Sequence, residues 1–210
     1  MAGGVWQMWP RKGGEMTLKI LGVSGSLRSD SVSRRALELV LNSAEEHGAE
    51  ARLLDLGQIE LPMYRPDATA SDVVRTVAAA VSWADAFLLS TPDYHGSMSG
   101  AIKNFLDYHW EEFAGKLFGY LCTSHERGLA AMDQMRSAVR QCYGWSLPYG
   151  VSVHGEEDFN RLGAVSNPRV ASRFRMVARD LVVYGAMIRS QFRRDVIDRE
   201  SQTFASRYWQ

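Results

Sequence analysis

Between Ser24 and Ser33 the chain crowds Ser24, Ser26, Ser29, Ser31 and Ser33 around one guanidinium, Arg28, in the stretch SGSLRSDSVS. Hydroxyls and an arginine at this density are the side chains that grip a phosphate, because charge-assisted hydrogen bonds to its oxygens are the strong ones. A second cluster, Thr91-Pro92-Asp93-Tyr94-His95-Gly96-Ser97, places one aromatic ring beside small, turn-forming residues. Tyr94 there could stack on a flat ligand. A third, Thr123-Ser124-His125-Glu126-Arg127-Gly128, is polar and ends in glycine. No Ser-His-Asp or Cys-His arrangement is announced, and His109, Cys122 and Cys142 lack the spacing of metal ligands. A buried, inert thiol is the expectation for Cys122 and Cys142.

The elements that must position these clusters are legible beside them. Leu18 to Val23 has the short aliphatic profile of a buried strand, and Arg34 to Leu41 repeats apolar residues at intervals of three and four, as an amphipathic helix does. The serine-rich loop thus opens a helix, whose unpaired first-turn N–H groups and positive dipole end add to an anion site. The competing reading is a plain serine-rich turn with Ser33 as helix N-cap. A P-loop is excluded because no Gly-Lys-Ser/Thr is present. The dinucleotide fingerprint is excluded because Gly22 and Gly25 are wrongly spaced and no third glycine opens the helix. Hydroxyls plus one arginine suit a terminal monophosphate, whereas a pyrophosphate lying along the backbone calls for glycines.

Along the chain, strands and helices alternate. Strands are expected at about 18–24, 51–56, 86–90, 117–122 and 149–153, the last entered through Pro148. Helices are expected at about 32–47, 71–83, 99–109, 129–142 and from Asn167-Pro168 to about Arg194, with Ser71 as an N-cap. Alternation at this spacing means an α/β fold with a parallel sheet covered on both faces. Ligands then bind beyond the carboxyl ends of the strands, so the three polar clusters form one site. A phosphate grip at one end and an aromatic with polar loops at the other are what FMN requires.

The segments Gly25-Ser26-Leu27-Arg28 with Ser31 and Ser33, Thr91 to Ser97, and Gly100-Ala101-Ile102-Lys103-Asn104-Phe105-Leu106-Asp107 together resemble the NADPH-dependent FMN reductase family over about residues 18 to 155. That family includes quinone, chromate and azo-dye reductases. The resemblance implies a flavodoxin-like three-layer sandwich with a five-stranded parallel sheet in the order 2-1-3-4-5. It implies that Ser26, Arg28, Ser31 and Ser33 hold the FMN phosphate. It also implies that Pro92, Asp93, Tyr94, His95, Gly96 and Ser97 line the flavin ring, with Ser124 near it from the next loop. NAD(P)H would be the hydride donor, and a quinone, free flavin or similar molecule the acceptor. The chain departs from the family pattern at His95, where many members carry Asn, and at His125-Glu126-Arg127, where a glycine-rich turn is common.

Other residues have plainer readings. Asp93 is expected to brace its own turn, Lys103 and Asn104 to be structural or solvated, and Asp55 not to bind a ribose. His95 is either a ring-edge donor or a loop filler. Backbone N–H groups around Gly96 and Ser97 could point at the flavin ring. The alternative function is a flavodoxin-type electron carrier, which the balance of 24 basic against 24 acidic residues disfavours. A Rossmann dinucleotide-binding regulator is a third reading. Zero net charge recruits neither nucleic acid nor an anionic membrane, and no apolar run is long enough to span one. Two distant cysteines point to a reduced, cytoplasmic protein. The aromatic run Phe105, Tyr108, His109, Trp110 and Phe113 predicts a homodimer or homotetramer, as the resemblance also implies. Residues 1–17 read as an extension outside the fold, without the apolar core of a secretory signal. Trp6, Met8 and Trp9 in it could dock on a surface. Residues 18–200 form the flavin-binding domain and 201–210 a tail.

Overall fold

The computed structural model of the chain describes residues 17–198 and 202–208; Trp6, Met8 and Trp9 lie outside them. The elements follow in order as β1 (Lys19–Ser24), α1 (Val32–Glu46), β2 (Glu50–Asp55), α2 (Asp72–Trp83), β3 (Ala86–Pro92), α3 (Gly100–Asp107), β4 (Leu117–Thr123) and α4 (Leu129–Gln141). The chain then runs through β5 (Trp145–Ser146), β6 (Val151–Val153), α5 (Gly155–Asp158), α6 (Pro168–Ile197) and α7 (Phe204–Tyr208). All strand pairings are parallel, in the order β2-β1-β3-β4-β5, with β6 also on β4. This is the flavodoxin-like arrangement expected. The single fifth strand is corrected: two short strands share its position, and Pro148, which has no N–H to give a ladder, lies between them.

Alternation along the central strands builds the two cores. Ile20, Leu88, Leu117 and Leu121 point to one side, where α1 and α6 supply Leu37, Val40, Phe174 and Leu181. Leu21, Phe87, Leu89, Phe118 and Tyr120 point to the other, against Val77 of α2, Ile102 of α3 and Met135 of α4. Both faces being covered explains why β3 and β4 are nearly continuous apolar runs. The expected N-cap at Ser71 is present, and Ser99 and Asn167, where helices were expected to begin, cap α3 and α6. At α1 the N-cap is Ser31 rather than Ser33: its hydroxyl accepts the Arg34 N–H at 3.2 Å.

The aromatic run after α3 folds inward. Phe105 and Phe113 are fully buried and His109 nearly so, packed on Phe87 and Phe118, because a 3-10 turn at Glu111–Phe113 bends the chain back under the sheet. Trp110 alone of this run is largely exposed. The run therefore forms core, and the surface argument for association drawn from it does not hold. In the expected tail, Ala205 and Ser206 are buried and the Phe204 ring lies 5.3 Å from that of Tyr143. No helix among the described residues is long and apolar enough to cross a membrane.

Candidate flavin site

The carboxyl ends of β1, β3, β4 and β6 share one edge of the sheet, and the loops that leave them are stitched together there. Gly25 N–H donates to the Ser90 carbonyl at 2.8 Å, and the Ser99 hydroxyl donates to the Gly25 carbonyl at 2.7 Å. Asp93 N–H donates to Thr123 O at 2.8 Å, and Ser124 N–H to Val153 O at 3.0 Å. Gly25 must be glycine, since a Cβ there would lie 2.2 Å from Ile102 Cγ1. Its absence lets the loop after β1 pass directly over the start of α3.

In the first loop the hydroxyls of Ser31 and Ser33 are 3.0 Å apart, and Ser26 Oγ accepts the Arg28 N–H at 3.3 Å. Ser26, Ser31 and Ser33 are mostly buried, while residues 27–30 stand exposed above them. Ser24 lies below, fully buried at the end of β1. Three arginines are nearby, and their partners distinguish them. Arg34 pairs with Glu38 at 2.9 Å and with Asp55 at 3.1 Å, and Arg35 with Asp30 at 2.8 Å. Among the described residues Arg28 has no acidic partner, and neither Val32 nor Ser33 has an acceptor for its N–H. A guanidinium without an acidic partner, in the same loop as open helix N-terminal donors and hydroxyls, is chemistry that fits a phosphate. Asp55 pairs with Arg34 and accepts the Gly57 N–H at 3.0 Å, which holds the loop after β2.

The second loop is a tight turn. Tyr94 and Ser97 exchange N–H···O bonds of 3.0 and 3.1 Å, and His95 and Gly96 have φ of 58° and 75°, the type I′ geometry. Asp93 braces it as expected, its Oδ1 accepting the Gly96 N–H at 2.8 Å. Its Oδ2 accepts the Ser124 hydroxyl at 2.9 Å, which joins the loops after β3 and β4. Both N–H groups expected to face the flavin are therefore engaged: Gly96 bonds Asp93, and Ser97 bonds Tyr94. That expectation is corrected, because closing the turn uses the donors that would have left it. The His95 N–H has no partner among the described residues. Tyr94 is half exposed, and a Cβ on Gly96 would meet nothing within 4 Å, so the outer side of the turn is open.

Residues that local patterns did not announce complete the edge. Gln134 of α4 accepts the Ser97 hydroxyl at 2.6 Å and donates to the Gly96 carbonyl at 3.4 Å. His125 Nδ1 lies 3.3 Å from His154 Nε2, and Asp158 accepts from the His154 N–H at 2.7 Å and from Asn167 Nδ2 at 2.6 Å. Asp158 thereby folds the segment after β6 back on itself. Asn104 is structural, as expected: it accepts the Tyr64 N–H and donates to Pro62 O, both at 2.8 Å. Burial pushes the Cys122 thiol up to about 12, with the Asp93 charge adding to it, so it stays an inert thiol. Among the described residues no three His, Cys, Asp or Glu side chains converge as metal ligands.

Residues 18–158 match the protein family described as NADPH-dependent FMN reductase. Among individual proteins, the chain is 29% identical over 143 residues to an NADPH azoreductase of Bacillus sp. (strain OY1-2), covering 66% of this chain and 78% of that protein. It is 33% identical over 104 residues to a 2-hydroxy-1,4-benzoquinone reductase of Burkholderia sp., covering 50% and 56%. In structure it resembles FerB, a flavoenzyme NAD(P)H:(acceptor) oxidoreductase from Paracoccus denitrificans, with a TM-score of 0.71 at 23% identity, covering 81% of this chain and 98% of the other.

Proposed function

Because this chain belongs to the NADPH-dependent FMN reductase family, we propose that the edge just described holds FMN and serves a quinone, azo compound or free flavin as acceptor. The relatives named for azo and benzoquinone reduction support that acceptor class. FMN held there would supply the redox chemistry between NAD(P)H and the acceptor. The protein's own part is binding and orientation. Ser26, Arg28, Ser31 and Ser33, with the open N–H groups of α1, receive the terminal phosphate. Pro92 to Ser97 and Ser124 shape the ring end, where the Asp93–Ser124 bond sets the spacing between two loops. Tyr94 provides a stacking surface, and the small Gly96 and Ser97 leave the opposite approach unroofed. The observation that carries the reading is Arg28, the cation in its loop that no acid among the described residues neutralises.

The test is anaerobic. FMN-loaded protein mixed with NADPH or NADH should lose its flavin colour in one two-electron step, and a panel of quinones, azo dyes and free flavin should then restore it. Bleaching by a one-electron donor but by neither nucleotide would replace the reductase with an electron carrier.

Residues 18–200 are taken as the functional unit, with 1–17 outside it; within the expected tail 201–210, Ala205 and Ser206 are buried and Phe204 lies beside Tyr143, so this stretch is joined to the unit. A homodimer or homotetramer is retained, now on α6: Met176, Val183 and Met187 recur on one helical face, all exposed, with Tyr184 beside them. Two free cysteines agree with a cytoplasmic location.

A further inference from the structure

The Tyr94–Ser97 turn carries a residue that has to be held in place. His95 sits at φ 58°, in the left-handed region that a non-glycine residue adopts at a cost, so its surroundings must over-determine it. Asp93 supplies one hold, on the Gly96 N–H at 2.8 Å. The cross-turn bonds between Tyr94 and Ser97 supply a second. The third comes from another element altogether: Gln134 on α4 takes the Ser97 hydroxyl at 2.6 Å and gives its amide N–H to the Gly96 carbonyl at 3.4 Å. Together these fix both peptides that flank Gly96. The Gly96 N–H is tied to Asp93, and the following peptide has its carbonyl on Gln134 and its N–H on the Tyr94 carbonyl. Neither can rotate without breaking a bond. Gln134 itself is exposed on its helix and adds no burial to the core.

We propose that Gln134 is a positioning residue for the flavin-ring loop: from α4 it locks the Gly96–Ser97 peptide, so that Tyr94 and the His95 N–H keep a single presentation to the ligand. The proposal rests on the reading that the flavin ring lies beside this turn. It needs no contact between Gln134 and the flavin. An exposed glutamine with two bonds to one turn is suited to this, since removing it loosens the turn and leaves global stability untouched.

Gln134→Met keeps the length of the side chain and removes both bonds. In the ligand-free protein, amide exchange at Gly96 and Ser97 should speed up about 3- to 10-fold, the range expected for losing one net hydrogen bond. FMN should bind about 3- to 10-fold more weakly, with the melting temperature unchanged. Gln134→Glu, which can still accept from Ser97 and cannot donate to Gly96, should fall between the two. Tyr94→Ala is measured alongside. If Tyr94→Ala weakens FMN and Gln134→Met changes neither exchange nor affinity, Gln134 does not position the loop. A melting temperature that falls in step with affinity would make its role merely structural and overturn the proposal. If Tyr94→Ala leaves FMN affinity unchanged, the ring reading is wrong and the proposal falls with it.

Discussion

Single side chains divide the labour at this edge by what they are already bonded to. Arg34 and Arg35 are held by carboxylates, whereas Arg28 has no acidic partner among the described residues, which is why the proposed phosphate contact falls to it. Arg28→Ala should therefore weaken FMN binding about 10- to 150-fold, since a hydrogen bond to a charged group contributes about 1.5–3 kcal/mol. Its exposure predicts an unchanged melting temperature, and a fluorescence titration with FMN checks the affinity. Deep in the other core, His109 is a different case. It lies among Phe105, Tyr108 and Phe113 with neither ring nitrogen hydrogen-bonded among the described residues. Burial pushes its pKa down to about 4, against a raising effect from Glu112 and a lowering one from Lys116. Below the ordinary histidine value the unfolded chain takes a proton that the folded one refuses, so stability is lost as pH falls from about 6.5 toward 4. Between pH 7.5 and pH 5 this amounts to about 2 kcal/mol. Urea unfolding of His109→Phe should show that much less acid sensitivity than the parent; equal slopes would mean another group governs it.

At the scale of elements, the joint between β1 and α3 decides whether the phosphate and ring loops meet. The Ser99 hydroxyl caps α3 by accepting the Ile102 N–H at 3.3 Å and also donates to the Gly25 carbonyl at 2.7 Å. One residue thus starts a helix and anchors the neighbouring loop. The fit leaves no room for a methyl group, with Ile102 Cγ1 2.2 Å and Ser99 Oγ 2.8 Å from the position a Gly25 Cβ would take. Ile102 is fully buried, so it cannot swing away. Gly25→Ala should cost about 1–3 kcal/mol through overpacking and weaken FMN binding as well. Denaturant midpoints and FMN titration of the same variant test both, and a variant matching the parent in each would mean the joint has slack.

For the whole molecule, the carboxyl edge of the sheet and the outer face of α6 differ in character. The carboxyl edge gathers polar loops, while the long α6 leaves Met176, Val183, Tyr184 and Met187 exposed. The neutral net charge gives copies of the chain no general repulsion to overcome. Light scattering at micromolar concentration should report a dimer or larger, and Val183→Glu with Met187→Glu should shift it to the monomer while FMN still binds. A parent that is already monomeric would remove α6 as an interface.

Much of this was legible before any tertiary structure was considered, because the signals are local. A strand that ends in glycine and hydroxyls before an amphipathic helix is a contiguous pattern, and so the placing of Ser26, Arg28 and Ser31 in one loop before the α1 N-terminus could be read directly. Alternating strands and helices likewise led to the parallel sheet and to the edge where its loops gather. Asp93 bracing its own turn was readable because donor and acceptor lie three residues apart. The tertiary structure alone decided what depends on partners distant in the chain. Whether the run from Phe105 to Phe113 faced solvent or core depended on Phe87 and Phe118, which the sheet brings beneath it. Whether the Gly96 and Ser97 N–H groups faced a ligand depended on how the turn closed. That Gln134 reaches Ser97, 37 residues away, follows from where α4 packs, and no local pattern encodes that placement.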